Sequence, residues 1–329
     1  MNEKCLKLLE QYEIEVTGTR RGRGSYICET NLGKKLLADY TGSEKRLRFV
    51  NSVLQELQKR DYAYADLVME NREGHLICTD RDENSCVLKD WHEGRECDTR
   101  NPQDIEQAVH CLAGLHRRLC LPALLSQMDE TFCAQELGAE MERHNRELHK
   151  IYSFIRKRKQ KNEFEILFLK YYTMFFEQAK EALEYLKNSG YDRLRERCIA
   201  GGQLCHGNYN QHNIWFQGKH QVFAGNFERC RFDVPLTDLY QFLRKIMEKQ
   251  DWNPDIGHHI LKWYDHERPL GCEGWEYMYA RLLYPEKFWK LANQYYGQNK
   301  ACTPWRNAEK LKTLIQQQNA RNSFLKSLE

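Results

Sequence analysis

The sequence predicts an α+β protein of two lobes, a small strand-rich lobe over residues 1–90 and a larger helical lobe over residues 91–329. Three observations carry that prediction. The first ninety residues hold short β-branched or alternating runs broken by turn residues. After Trp91-His92-Glu93-Gly94-Arg95 the hydrophobic period changes from two to about 3.6. The 329 residues are 41% hydrophobic and 12% aromatic, which supplies enough apolar surface for a sizeable core.

In chain order, Glu13 to Thr17 is short and β-branched, and Ser25 to Thr30 alternates. The turn at Asn31-Leu32-Gly33 leads into Lys34 to Tyr40, a hairpin pattern. Glu44 to Lys59 is helical, with Leu47, Val50, Leu54 and Leu57 on one face. Strand patterns follow at Asp66 to Glu70, His75 to Thr79 and Cys86 to Asp90. Pro102 to Leu119 is a helix opened by Asn101, with Pro at its first position. Long helical patterns run through Ala134 to Lys161 and Asn162 to Asn188, the second stopped by Asn188-Ser189-Gly190. Gln203 to Asp233 is compact and turn-rich, with strand-like pieces. Leu236 to Lys249, Ile256 to Tyr264, Glu273 to Leu283, Pro285 to Asn299 and Ala308 to Leu328 are helical.

Fifty Lys and Arg against 47 Asp and Glu leave a formal charge of +3. That balance argues against a nucleic-acid binder, whose domain pI usually exceeds about 9. No apolar run reaches the length of a membrane span, and charges interrupt the N-terminus where a signal peptide needs an apolar core. Thirteen cysteines without a CxxC pair fit free thiols in a reducing compartment, with cross-linking into an assembly after oxidation as the alternative. The run Arg156 to Lys161 reads as a solvated face. Tyr171-Tyr172 and Phe175-Phe176 have helical spacing and read as core. His258, His259 and His266 lack a recognised metal-ligand spacing.

The most informative stretch is His206-Gly207-Asn208-Tyr209-Asn210-Gln211-His212-Asn213, followed thirteen residues later by Asn226-Phe227-Glu228. It resembles the HGDxxxxN catalytic loop and DFE segment of the aminoglycoside-phosphotransferase and choline-kinase branch of the protein-kinase-like fold. Further segments resemble, in order, the CotS family of bacterial spore coat proteins within that branch. They are Thr41 to Leu47, Trp91 to Cys97, Leu112 to His116, Asp238 to Lys245 and Tyr284 to Lys290. The resemblance spans nearly the whole chain and implies a bilobal kinase-like fold.

Phosphoryl transfer on that fold needs positioned charge: a lysine with a glutamate partner, an aspartate beside the attacking hydroxyl, and an asparagine with a second aspartate on Mg²⁺. The resemblance places the first aspartate at Asn208 and the metal-binding one at Asn226. An amide is no base near neutral pH and is a weaker Mg²⁺ ligand than a carboxylate. The lysine falls at Ala38 and its glutamate at Ser52. His206 and Asn213 survive, and Asp238 is expected to brace the loop. No functional catalytic or metal site is expected; Asn213 and, weakly, Glu228 are the residues left that could contact a cofactor. Lys34 shares strand parity with Ala38 but lies about 13 Å away along the strand, so it does not replace the missing amine. Asp39 and Glu228 are the acids that a rearranged site could use. Arg21 to Ser25 sits where a glycine-rich phosphate loop would lie, and equally reads as a hairpin turn. Trp91, with Glu93 and Gly94, lies at the connector, where a packing tryptophan is favoured over an adenine contact.

These replacements imply a pseudokinase, a structural or scaffolding spore coat component made in the mother-cell cytoplasm. Its expected partners are other coat proteins, without nucleic acid, membrane or cofactor. Two alternatives stand beside it. One is a small-molecule hydroxyl kinase of the aminoglycoside or choline kinase type, using ATP and Mg²⁺. The other is a pseudokinase that binds nucleotide without turnover.

Overall fold

The computed structural model describes residues 7–22, 25–79, 84–218, 221–297 and 304–328. The described chain divides into two compact units, residues 1–133 with 198–238, and residues 134–197 with 239–329. The first unit takes in residues 91–133 and the turn-rich segment after residue 203 together with the N-terminal sheet.

The first unit is built on a five-stranded sheet of order β1-β2-β3-β5-β4. Its strands are β1 (Val16–Arg21), β2 (Ser25–Thr30), β3 (Gly33–Asp39), β4 (Cys78–Thr79) and β5 (Ser85–Asp90). Neighbouring pairs are antiparallel. The turn into β3 is made by Gly33 at φ +87°, a conformation L-residues disfavour. Antiparallel partners share a sheet face, so the registers sort the side chains. Tyr26, Cys28, Leu37, Cys86 and Leu88 lie on one face, covered by Leu8, Leu9 and Tyr12. Leu36, Ala38, Val87 and Lys89 lie on the other.

Helix α1 (Glu44–Gln58), capped by the Ser43 hydroxyl on the Arg46 amide, packs Leu47 against Val87 on that second face. The Asp66 to Glu70 segment, expected as a strand, makes only an isolated bridge between Val68 and Lys89. The Asn51 side chain instead clamps the Val68 backbone N–H at 2.9 Å and C=O at 2.8 Å. Likewise only Cys78 and Thr79 of the expected 75–79 strand pair. The first strand begins at Val16 rather than Glu13 and runs on to Arg21, because its partner is β2.

Beyond the connector the unit adds β6 (Arg95–Glu96), α2 (Pro102–Arg118), β7 (Leu204–Cys205), β8 (Ile214–Gln217), β9 (Gln221–Ala224) and β10 (Arg231–Phe232). β6, β8 and β9 form one small sheet, and β7 with β10 another. The short pair β7 and β10 brackets the loop that begins at His206.

The second unit is helical. It contains α3 (Leu137–Lys157), α4 (Glu163–Lys187), most of α5 (Tyr191–Ala200) and of α6 (Leu236–Lys249), then α7 (Pro254–Glu267), α8 (Gly271–Leu283), α9 (Glu286–Gly297), α10 (Pro304–Gln316) and α11 (Gln318–Lys326). Its core joins Leu148 and Ile155 of α3, Phe164, Phe168, Tyr172 and Phe175 of α4, Phe288 and Leu291 of α9, and Leu311 of α10. Phe168 stacks on Phe288 with centroids 4.8 Å apart. Tyr171 and Phe176 border this core partly exposed, so the aromatic pairs read as core divide by helical face. The helix α5 lacks a clear sequence signal, and the last expected helix is two, separated at Gln317. Arg158 of the basic run lies just past α3 and pairs with Glu165. His258 is 2.9 Å from the Ser327 hydroxyl and His259 stacks on Trp263. Of the described cysteines, Cys205 and Cys230 are buried and Cys272 is exposed.

The capping box of α4, in which Asn162 and Glu165 bond each other's backbone amides, generates a prediction. Asn162→Ala lowers unfolding stability by about 1 kcal/mol, read from chemical denaturation as a shifted midpoint with an unchanged m-value.

Candidate functional site

The loop after β7 is held by one carboxylate. Asp238, fully buried, accepts the backbone N–H of His206 at 2.6 Å and of Gly207 at 2.8 Å, with His116 Nε2 at 3.2 Å. Burial pushes its pKa up, but the His116 and His206 groups outweigh that and hold it below the usual aspartate range. Gly207 sits at φ +76°, and a Cβ there would lie 2.1 Å from the Arg229 carbonyl oxygen; only glycine fits. His206 accepts the Asn208 N–H on Nδ1 at 3.2 Å, so its proton is on Nε2, donated to the Gly225 carbonyl at 3.0 Å. These bonds fold the loop back on the segment entering Asn226.

The two amides expected in place of carboxylates are both in this fold of chain. The Asn208 carbonyl accepts from Asn210 and Asn213 Nδ2, each at 2.8 Å, and its side-chain oxygen accepts from Asn210 at 3.0 Å. Asn226, a non-glycine residue at φ +64°, donates Nδ2 to Asn213 Oδ1 at 2.9 Å and its backbone N–H to Asp66 Oδ2 at 2.9 Å. Asn213 therefore spends its carbonyl oxygen on a neighbouring amide.

The residue that organises the centre is Lys89, which sequence reading did not single out. Its ammonium lies 2.8 Å from Asp66 Oδ2, 2.7 Å from Asn226 Oδ1 and 2.6 Å from Glu228 Oε1, with the side chain 4% exposed. Burial pulls the amine's pKa down, yet the two carboxylates win and raise it, so Lys89 is charged. Glu228 is the mirror case: burial raises its pKa, and Lys89 brings it below the usual glutamate value. Arg46 of α1 holds the same segment from its backbone side, donating Nε to the Glu228 carbonyl at 3.0 Å and Nη2 to that of Cys230.

Strand register explains how Lys89 arrives there. Ala38 pairs with Val87, and Leu36 with Lys89, so Lys89 lies on the face of Ala38, one strand over and two residues along. β5 thus presents a lysine on the sheet face of Ala38, the position to which the resemblance assigns the site's lysine. The detectable signal was a lysine following Cys86-Val87-Leu88 at an inward position of the strand, on the face of Ala38. Asp66 carried no signal, since its segment resembled a strand.

The other expected groups are elsewhere. Ser52 donates to the Arg48 carbonyl of its own helix at 3.0 Å and borders an open groove of about 490 Å³ with Phe49 and Phe132. Lys34 pairs with Glu93 at 2.8 Å, and Glu93 with Arg20 at 2.7 Å, in a partly exposed cluster. Asp39 is exposed, with the Cys86 thiol 3.7 Å from its carboxylate. Of the Arg21 to Ser25 turn, Arg23 and Gly24 lie outside the described residues. Trp91 packs edge-on against Trp215 at 6.0 Å, and Tyr64 stacks on Phe223 at 4.1 Å. The void among Tyr64, Asp66, Lys89, Trp91, Trp215 and Phe223 measures about 10 Å³, room for one water, where a ligand pocket holds hundreds.

As a Mg²⁺ site this arrangement does not fit. The ion relies on one or two carboxylates, and both carboxylates at hand, Asp66 and Glu228, are joined to Lys89. The carbonyl oxygens of Asn213 and Asn226 are likewise engaged. Among the described residues, no group of three or more His, Cys, Asp or Glu converges as a metal site.

Sheet order, loop and helical unit together define a protein of the aminoglycoside-phosphotransferase type of kinase fold. An aminoglycoside phosphotransferase from Alicyclobacillus acidocaldarius superposes with a TM-score of 0.83 at 16% identity, covering 98% of this chain and 94% of that one. A spectinomycin phosphotransferase gives 0.64 at 10% identity, covering 96% and 97%. Spore coat protein S of Bacillus subtilis is 22% identical over 331 residues, 96% of this chain and 89% of that protein. The chain belongs to the family described as spore coat putative kinase YutH, whose model matches residues 6–328.

The loop anchor generates two predictions. Asp238→Asn removes an ionised acceptor of two backbone amides and costs about 1.5–3 kcal/mol near pH 6. Because the folded pKa lies below the ordinary value of about 3.9, the gap from wild type is full above pH 4. It shrinks as pH falls through the lower folded value; urea midpoints at several pH values read this. Gly207→Ala costs more than the roughly 1–2 kcal/mol of its left-handed backbone alone, because the Arg229 carbonyl must also move; thermal denaturation checks it.

Proposed function

We propose that this protein is a non-catalytic member of its family, a kinase-fold scaffold of the spore coat. One observation carries the reading: the ammonium at the centre of the site is bound to Asp66, Asn226 and Glu228, and the cavity it lines with Asp66 and Trp91 measures about 10 Å³. Phosphoryl transfer needs positive charge on the phosphates and a carboxylate at the attacking hydroxyl. Here Asn208 and Asn226 are neutral, Ala38 and Ser52 carry no charge, and the positive group is internally neutralised. Losing a single such group slows an enzyme by about 10² to 10⁴. Losing the base and the metal anchor together leaves the triphosphate without counter-charge.

Family membership and the resemblance to spore coat protein S support a place on the spore surface, reached from the mother-cell cytoplasm, with other coat proteins as partners. Among the described residues no helix is long and apolar enough to cross a membrane. The competing readings are a small-molecule hydroxyl kinase using ATP and Mg²⁺, and a nucleotide-binding regulator without turnover.

Thermal unfolding with and without ATP-Mg²⁺ separates the three. A ligand at about 100 times its dissociation constant adds about 2.7 kcal/mol of stability. The scaffold reading expects no shift and no loss of γ-phosphate. A shift without transfer supports the regulator, and transfer to an alcohol at ordinary turnover supports the enzyme. The double variant Asn208→Asp with Asn226→Asp is expected to stay inactive, because Ala38 and Ser52 remain uncharged and Lys89 gains a further carboxylate to pair with; phosphorylation of any aminoglycoside or amino alcohol by it overturns the reading. A fluorescent fusion is expected to ring the spore.

A further inference from the structure

We propose that the Lys89 ammonium is the resident cation of this site, a covalently tethered substitute for a divalent metal ion, so that the loop is ordered without metal or nucleotide. The inference rests on the non-catalytic reading above and assigns the residue that made the metal dispensable.

Three oxygens from two distant segments converge on Nζ: Asp66 Oδ2 at 2.8 Å, Asn226 Oδ1 at 2.7 Å and Glu228 Oε1 at 2.6 Å. Two carboxylates and one amide carbonyl are a hard-oxygen donor set of the kind that holds Ca²⁺, Mn²⁺ or Mg²⁺. The separations are those of charge-assisted hydrogen bonds, longer than metal–oxygen bonds, so the donors are spaced around a nitrogen. Asn226 and Glu228 belong to the segment that resembles the metal-binding DFE element of the aminoglycoside-phosphotransferase branch. A buried carboxylate and a half-buried one held this close need a compensating positive charge, and Lys89 supplies it from β5. A fourth oxygen is in reserve: Asp66 Oδ1 is buried without a hydrogen-bond partner among the described residues, on a residue 8% exposed.

The substitution has a testable reciprocal. With Lys89 in place, a divalent cation meets a fixed positive charge and finds each convergent oxygen engaged. With the charge removed, the same oxygens carry two uncompensated negative charges, and an external divalent cation restores the balance.

The experiment uses Mn²⁺ as the probe, with the full chain and no nucleotide. Electron paramagnetic resonance reads free Mn²⁺, and thermal unfolding is recorded across a Mn²⁺ titration. Wild type is expected to leave the free signal at full amplitude and to show no change in midpoint. Lys89→Met is expected to melt lower than wild type, to bind one equivalent of Mn²⁺ and to regain several degrees as the ion is added. Adding Glu228→Gln to Lys89→Met is expected to weaken that binding roughly tenfold or more. Lys89→Gln, which keeps a hydrogen-bonding head without charge, is the second variant and is held to the same outcome. One equivalent of Mn²⁺ bound by wild type and lost in Glu228→Gln overturns the proposal, as does a folded Lys89→Met or Lys89→Gln that binds none. Phosphate transfer from ATP by wild type instead overturns the non-catalytic reading, so the two failures are distinct.

Discussion

An ammonium removed from water must find negative charge or lose its proton. Lys89 is buried on the inner face of the five-stranded sheet and stays charged, so the chain around it is arranged to supply two carboxylates and a carbonyl. That requirement draws together β5, the loop after α1 that carries Asp66, and the 226–228 segment. It also accounts for backbone details that no local preference favours. Asn226 adopts a left-handed conformation in which its N–H reaches Asp66 while its side chain faces both Lys89 and Asn213. Arg46 then grips the carbonyls on the other side of the segment, and its guanidinium lies over the stacked rings of Phe49 and Phe132.

The loop keeps its shape with amides at positions 208 and 226, and the reason is the nature of amides. Asparagine has the outline of aspartate, but carries both a donor and an acceptor. An asparagine beside a carboxylate offers a metal two oxygens; Asn213 and Asn226 instead hydrogen-bond directly, and Asn208 is knitted to Asn210 and Asn213. The groups that anchor the loop's backbone, Asp238, His206 and Gly207, are a different set from those that would do phosphoryl transfer. The two sets are independent, which is why a fold likeness to phosphotransferases coexists with a centre that does not fit Mg²⁺.

The aromatic groups beside the connector follow the same logic. Where a ligand pocket would be lined, Trp91, Trp215, Tyr64 and Phe223 pack on one another and leave a void of about 10 Å³. Their apolar area contributes to the core of the unit directly, at about 25 cal/mol for each Å² removed from water.

Much of this was legible from residue order alone. Strand hairpins, the capped helices α1, α2 and α4, and the aromatic face of α4 follow from local period and capping chemistry, because each is decided by residues a few positions apart. The neutral character of positions 208, 226, 38 and 52 is a property of the residue types themselves, once the loop pattern locates them. The misjudged elements were those with a non-local partner: Asp66 to Glu70 had strand composition but is clamped by Asn51 of α1, and β1 was lengthened by β2. The partners of Lys89 were equally out of reach. Lys89 lies 23 residues from Asp66, 137 from Asn226 and 139 from Glu228, and only the β3–β5 register decides that it faces them. Composition and spacing determined which residue types the loop carries; the packed sheet decided which charge meets them, since the pairing of a buried charge is settled by three-dimensional proximity and not by sequence neighbours.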